Sequence, residues 1–361
     1  MTADASAARG APDGPRVLVT GASGFVGGHV VAAARAVPGL RLRLMTHRTA
    51  LAPAVVAASG NGPGNGSGDG SGGVAGVGIE TVHGDLADPE TLRGSCEGVD
   101  ALIHCASEIG HNEPTARSVN DQGTRALVEE AVRRGVPRIV QLSTASVYGR
   151  GPFVRLRPGD AEPAPASVTS LTRAAAERHV LAAGGVVVRP HIVYGAGDRW
   201  AVPGLVGLLG RLAAVPAGCG ARHSMIEAGA LGRALLGAAL SRHDPAGVYH
   251  VNHPEPVSCS QLLAAVVDGL GLPWGAERIG PAEARERLAD VPYALHHFGM
   301  LTVDHWFADD RAGRDLDWEP GEGFTTAFAR HAAWYRGHLD SLRRAAPGTA
   351  PALVPTRTPG Q

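Results

Sequence analysis

Residues Val17-Leu18-Val19 are apolar and run directly into Thr20-Gly21-Ala22-Ser23-Gly24-Phe25-Val26-Gly27. A short strand that turns through glycines spaced G-x-x-G-x-x-G into a helix is suited to holding a diphosphate. Gly21 permits the tight turn, Gly24 lets the backbone approach the anion, and Gly27 lets the helix pack closely on the strand. The helix start at Ser23, Gly24, Phe25 and Val26 then offers unpaired N–H groups and a positive dipole end to the phosphates. The end of the second apolar stretch (LRLRLM, 40–45) reads Met45-Thr46-His47-Arg48, with neither Asp nor Glu. A carboxylate there would accept a ribose 2′-OH and repel a 2′-phosphate. Arg48 can instead pair with a 2′-phosphate bidentately, and Thr46 can donate its hydroxyl. The expected cofactor is NADPH.

Composition narrows the chemistry further. The 361 residues include 33 Lys plus Arg and 34 acidic residues, for a net charge of −1, and every basic residue is Arg. Mechanisms that need a Schiff-base lysine, a Walker lysine or a lysine beside a catalytic tyrosine are excluded. Balanced charge leaves no footprint for nucleic acid or an anionic membrane, so the expected partner is a small-molecule substrate. Cys96, Cys105, Cys219 and Cys259 have no C-x-x-C spacing. Neither a disulfide framework nor a metal site is expected from them, and scattered thiols fit a reducing cytosol. His104, His191, His296 and His297 read as structural or surface residues, and no HExxH-like spacing points to a metal. The N-terminus has no apolar signal core and no apolar run reaches membrane-spanning length, so a cytoplasmic protein is expected.

These residues require a scaffold, and the chain patterning supplies one. Residues 1–15 read as a disordered lead, and 59–78 (SGNGPGNGSGDGSGGVAGVG) as a flexible glycine-rich loop. Strands are expected at 17–19, 40–45, 79–83, 101–105, 138–142 and 186–188, with helices at 24–36, 118–134 and 170–183. That alternation implies βαβ units and an α/β Rossmann fold, a doubly wound parallel sheet, over 16–195. Beyond Gly195, helical stretches near 226–241, 259–269, 281–289 and 323–338 suggest a smaller, mainly helical C-terminal substrate domain over 196–340, with some return to the Rossmann sheet. Residues 341–361 read as a disordered, Pro-rich tail. Arg41 and Arg43 face one way on a strand that is normally buried on both sides, which the sequence alone does not explain.

With the elements placed, TGASGFVG resembles the signature of the extended short-chain dehydrogenase/reductase family, which includes sugar-nucleotide epimerases and dehydratases. Further segments match in order. His83-Gly84-Asp85-Leu86 resembles the family's adenine-contacting G-D-L. Asp100-Ala101-Leu102-Ile103-His104-Cys105-Ala106-Ser107 resembles the segment beneath the cofactor. Asn120 with Gly123-Thr124 resembles N-x-x-G-T, and Leu142 to Gly149 resembles S-S-x-x-V-Y-G. Val188-Arg189-Pro190-His191-Ile192-Val193-Tyr194-Gly195 resembles L-R-P-x-N-V-Y-G, and Gly247 to Asn252 and Trp318-Glu319-Pro320 have counterparts near the family's C-terminal end. The resemblance implies that Asp85, Leu86, Cys105, Ala106, Ser107, Pro190 and Val193 join the glycine loop and Thr46, His47 and Arg48 in binding the cofactor.

One departure decides the mechanism. The family's Y-x-x-x-K precedes A-x-x-E, whereas this chain has Thr169 and Arg173 before Ala174-Ala175-Ala176-Glu177. In the family the Tyr is the general acid/base, and the Lys lowers its pKa and holds the nicotinamide ribose. A Thr hydroxyl is too weak an acid and too short for that role. Arg173 retains a hydrogen bond to the ribose, and Thr144, at the family's Ser/Thr position, is the remaining catalytic candidate. Three readings compete. The first is an atypical NADPH-dependent ketoreductase whose substrate or solvent supplies the proton. The second is a sugar-nucleotide epimerase or dehydratase, which would need the missing Tyr as base. The third is a catalytically silent NAD(P)-binding regulator. The lysine-free chain also resembles tailoring ketoreductases of actinobacterial aromatic polyketides of the angucyclinone type, which implies reduction of a polyketide carbonyl.

Overall fold

The computed structural model describes residues 14–48, 78–110 and 112–345. The expected lead up to residue 13, the glycine-rich loop up to residue 77 and the tail beyond residue 345 lie outside the described residues. Seven strands form one parallel sheet: Arg16–Thr20 (β1), Arg41–Thr46 (β2), Gly78–His83 (β3), Ala101–His104 (β4), Arg138–Leu142 (β5), Val186–Val188 (β6) and Gly247–Tyr249 (β7). Their order is β7-β6-β5-β4-β1-β2-β3. The direction of winding reverses between β1 and β4, which pair Thr20 with His104. A doubly wound sheet opens a crevice at the carboxyl ends of the strands flanking such a reversal.

Side-chain alternation divides the strand residues between the two faces. Val17, Val19, Leu42, Leu44, Ile103, Val140 and Val188 pack in one core with helices Phe25–Ala34 (α1) and Ala228–Leu240. Leu18, Leu102, Ile139 and Val187 pack on the other face with helix Thr124–Arg133 (α2). Arg41 and Arg43 now have an account. Arg43 donates to Glu80 at 2.8 Å and to the Ser95 and Glu97 carbonyls at 2.9 and 2.7 Å. Arg41 donates to the Gly14 carbonyl at 3.0 Å. β2 lies next to the edge strand, so these guanidiniums reach the sheet rim and need not be buried unpaired.

A second core gathers Leu209, Val266, Phe298, Phe328 and Tyr335. It is formed by helices Ala201–Leu212, Cys259–Leu270, Pro281–Arg287, Pro292–Leu301 and Phe324–Ala345. Beside it lies a sheet ordered Val257–Ser258, Arg222–His223, His305–Phe307, Phe153–Leu156.

Four expectations change here. Helix Ala228–Leu240 belongs to the Rossmann core, not to the cap. A Cβ at Gly232 would sit 2.7 Å from the His29 backbone, so glycine there brings this helix onto α1. The small sheet takes its strand Phe153–Leu156 from within 16–195, so the two units exchange chain. The last helix runs to Ala345, past the start of the expected tail. Finally, Cys219 and Cys259 form a disulfide, with Cα atoms 5.4 Å apart. Antiparallel pairing of Arg222–His223 with Val257–Ser258 juxtaposes two cysteines 40 residues apart in sequence. The inference from four free thiols to a reducing compartment thereby loses its premise. Among the described residues, no helix is long and apolar enough to cross a membrane.

Candidate functional site

The glycine loop closes β1 onto α1. Gly21 has φ +69°, and the Gly24 N–H donates to the Gly21 carbonyl at 2.9 Å. A Cβ at Gly27 would lie 2.1 Å from the Gly21 carbonyl oxygen, so only glycine lets α1 approach this closely. Gly24 is the N-cap and makes no side-chain cap, which leaves the N–H groups of the first helical turn for an anion. The residues present therefore fit a dinucleotide diphosphate.

Beyond β2, the Thr46 hydroxyl points to the Val82 carbonyl at 3.4 Å, and His47 Nε2 lies 2.9 Å from Asp85 Oδ2. Arg48 is exposed. These residues and Leu86 converge where β2 and β3 end. On the other side of β1, Thr20 Oγ1 lies 2.7 Å from His104 Nδ1 and accepts from the Ala106 N–H at 3.2 Å. His104 Nε2 lies 2.9 Å from Thr124 Oγ1. Burial, with the Arg173 charge adding to it, lowers the His104 pKa to about 4, so this histidine is a neutral brace. Burial pushes the Cys105 thiol up to about 12, which removes it as a nucleophile.

Helix Val168–Ala182 (α3) presents Thr169 and Arg173 to the crevice. Its N-terminus is fixed by a capping box between Ser167 and Ser170. The Thr169 hydroxyl donates to the Gly110 carbonyl at 3.3 Å. Arg173 donates to Ser107 Oγ at 3.4 Å and to the Leu142 carbonyl. Its Nε and the Gln141 Oε1 are buried without partners, and both residues line one small cavity with His104, Ala106, Ser107 and Asn120. An unpartnered donor and acceptor in one cavity fit a bound polar group. Ser107 is itself held by Asn120, whose amide also accepts from the Glu108 N–H and donates to Thr172.

Thr144 accepts from the Ser146 N–H at 3.1 Å and donates to Ser146 Oγ at 3.2 Å. The Ala145 N–H donates to the Pro190 carbonyl at 2.7 Å, tying the Thr144 loop to the segment that carries Pro190 and Val193. Val193 pairs with Ile226 in a separate two-stranded ladder. The sequence-predicted residues are thus gathered around the carboxyl ends of β1, β2, β4, β5 and β6. Thr169 and Thr144 are both engaged with protein partners.

The chain belongs to the NAD dependent epimerase/dehydratase family. That family's model matches residues 17–206, the stretch from β1 through the Pro190–Val193 segment. A 3 beta-hydroxysteroid dehydrogenase/Delta 5-->4-isomerase of Mycobacterium tuberculosis is 27% identical, covering 84% of this chain and 86% of its own length. A 2-alkyl-3-oxoalkanoate reductase of Stenotrophomonas maltophilia is 28% identical, covering 68% and 83%. The solved UDP-glucuronic acid 4-epimerase of Bacillus cereus, in complex with NAD, superposes with a TM-score of 0.66 at 15% identity over 90% of this chain and 99% of that one. Within the family, then, this chain is similar to dehydrogenases, reductases and epimerases.

Two clusters escaped the sequence reading. Glu177 accepts from Arg189 Nε at 2.9 Å and Nη2 at 2.5 Å, and from Ser143 Oγ. Arg189 Nη1 donates to the Tyr148 hydroxyl at 2.6 Å, which lies 2.8 Å from His250 Nε2. All five are buried. Burial raises the Tyr148 pKa against the lowering effect of Arg189, so this tyrosine is a positioning group beneath the Thr144 loop and not a substitute acid. The second cluster brings together His191, His223 and His305. The first was foreshadowed by the family's A-x-x-E and L-R-P motifs. The second had no local signal, because its members come from three distant segments.

Proposed function

We propose that the protein is an NADPH-dependent ketoreductase that reduces a carbonyl of an aromatic polyketide of the angucyclinone type, without a tyrosine general acid. The observation that supports this most is the pairing of an intact cofactor cradle with Thr169, whose hydroxyl is directed at the Gly110 carbonyl. NADPH, when bound, supplies the hydride. Gly21, Gly24 and the first turn of α1 hold the diphosphate, Arg48 pairs with the 2′-phosphate, and Arg173 donates to the nicotinamide ribose. Holding the donor and the carbonyl carbon in near-attack geometry is worth effective molarities of about 10⁵–10⁸ M, against about 10²–10⁴-fold for a positioned acid. A ketone whose own phenolic hydroxyl hydrogen-bonds the carbonyl brings its proton donor with it. Thr144 adds one hydrogen bond to that oxygen when its hydroxyl turns from Ser146 Oγ to the substrate.

Ile109 (49% exposed) and Leu171 (41%) flank the Gly110–Thr169 contact in sequence and offer apolar surface to such a substrate. The names of the two curated relatives, a hydroxysteroid dehydrogenase and an oxoalkanoate reductase, fit a carbonyl or carbinol on an apolar skeleton. Sugar-nucleotide epimerisation and dehydration begin with oxidation of a sugar hydroxyl, which needs the base this chain lacks. The test is loss of reduced-cofactor absorbance on adding a polycyclic aromatic ketone with a neighbouring phenol. Turnover that collapses when the phenol is methylated supports the reading. Tight NADPH binding with no turnover on any such ketone would leave a silent cofactor binder.

A further inference from the structure

Three histidines from distant segments, His191, His223 and His305, are gathered with one nitrogen of each close to the others. His191 follows Pro190, whose carbonyl fastens the Thr144 loop. His223 and His305 are register partners on adjacent parallel strands of the small sheet. The rings are nearly parallel, tilted by 9–15° with centroids 5.3–6.1 Å apart. One nitrogen of each ring lies within 4.8 Å of one nitrogen of both others.

The hydrogen bonds decide which nitrogens are free. His223 Nε2 lies 2.9 Å from the Leu301 carbonyl, and His305 Nδ1 lies 2.8 Å from the Val303 carbonyl. A carbonyl only accepts, so each of these nitrogens carries the proton. The other nitrogen of each ring, His223 Nδ1 and His305 Nε2, therefore holds a lone pair. Both atoms are buried and without a hydrogen bond. The Arg150 carbonyl also approaches the His305 ring as an acceptor that favours its protonated form, though Nε2 makes no hydrogen bond of good geometry. Burying two imidazole acceptors without donors is costly. Zinc-ligating histidines show this same pattern: the ring N–H is donated to a backbone carbonyl, which fixes the tautomer and aims the other nitrogen at the ion.

We propose that His191, His223 and His305 bind one divalent transition-metal ion of the zinc class. Three neutral imidazoles suit zinc, copper, nickel and cobalt, and exclude magnesium and calcium, which want oxygen. A tetrahedral ion at 2.0–2.1 Å needs ligand nitrogens about 3.3 Å apart. The three rings would close by no more than about 1.5 Å from their 4.8 Å limit. His191 is partly exposed, and His223 and His305 are buried. The ion would clamp the Rossmann segment at Pro190 to the small sheet, and its fourth position is left to water. This proposal does not depend on the ketoreductase reading.

The test uses the full chain stripped with a chelator, then freed of it and titrated with Zn²⁺ or Co²⁺ alone. One ion per chain is expected by elemental analysis, with visible ligand-field bands for Co²⁺ and a raised Tm. Loss of a ligand should cost more than the about 10–100-fold that removing an outer partner costs. His223→Ala and His191→Ala should therefore each weaken Co²⁺ binding by at least about 100-fold. The double substitution of the surface pair, His296→Ala with His297→Ala, should leave it unchanged. Should His223→Ala fail to fold, His191→Ala and the wild-type titration still decide the matter. A wild-type chain that retains no ion, or binding undiminished in the folded variants, overturns the proposal.

Discussion

Replacing Thr169 with Ala tests whether a protein acid acts where the family's tyrosine stands. The side chain makes one hydrogen bond, to the Gly110 carbonyl at 3.3 Å, longer than the usual O–H···O range and therefore weak. A neutral hydrogen bond of this kind contributes about 0.5–1.5 kcal/mol, and about 1.4 kcal/mol corresponds to tenfold in rate. If Thr169 only steadies the Gly110 turn, Thr169→Ala should lower kcat less than tenfold. If Thr169 delivers the proton, its loss should cost the about 10²–10⁴-fold that general acids supply. The two outcomes do not overlap. The assay is steady-state oxidation of NADPH with a phenol-flanked polycyclic ketone at saturation, alongside cofactor affinity from fluorescence quenching. A hundredfold loss of kcat with unchanged cofactor affinity would refute the reasoning.

Three further outcomes are expected. NADPH should bind at least tenfold more tightly than NADH, since a charge-assisted hydrogen bond supplies about 1.5–3 kcal/mol, and Arg48→Ala should remove most of that preference in isothermal titration; equal wild-type affinities would sink the assignment. Glu177→Ala leaves Arg189 buried and unpaired, so urea unfolding should show a loss of about 3–5 kcal/mol, and a loss under about 1 kcal/mol would contradict the buried pair. Acid should destabilise the fold: His104 and His250 are held at about 4 in the folded chain, chiefly by burial, against 6.5 unfolded. The unfolded state then takes up protons that the folded state refuses as pH falls below 6.5, so each residue costs about 2 kcal/mol between pH 7 and pH 5. Unfolding free energies that stay flat over that interval would rule this out.

The sequence by itself determined the Rossmann half and its glycine loop, because those signals are local. Strand–glycine–helix succession, period-two apolar strands and a single missing carboxylate after Met45 are all read within a few residues of one another. The absence of any lysine, and with it of every lysine mechanism, is also a fact of sequence. What it left undetermined depends on contacts between distant segments. Helix Ala201–Leu212 went unread because Pro203 and its glycines weaken the local signal, yet its Val206, Leu208 and Leu209 are buried in the second core. Helix Ala228–Leu240 was given to the cap because nothing local says that Gly232 lies against His29. The Cys219–Cys259 bond, the buried Glu177–Arg189 pair and the His191–His223–His305 cluster each join residues far apart in the chain. Pairing across the small sheet and packing of α3 bring them together, and burial in that tertiary structure sets their charge states and leaves two histidine lone pairs without partners.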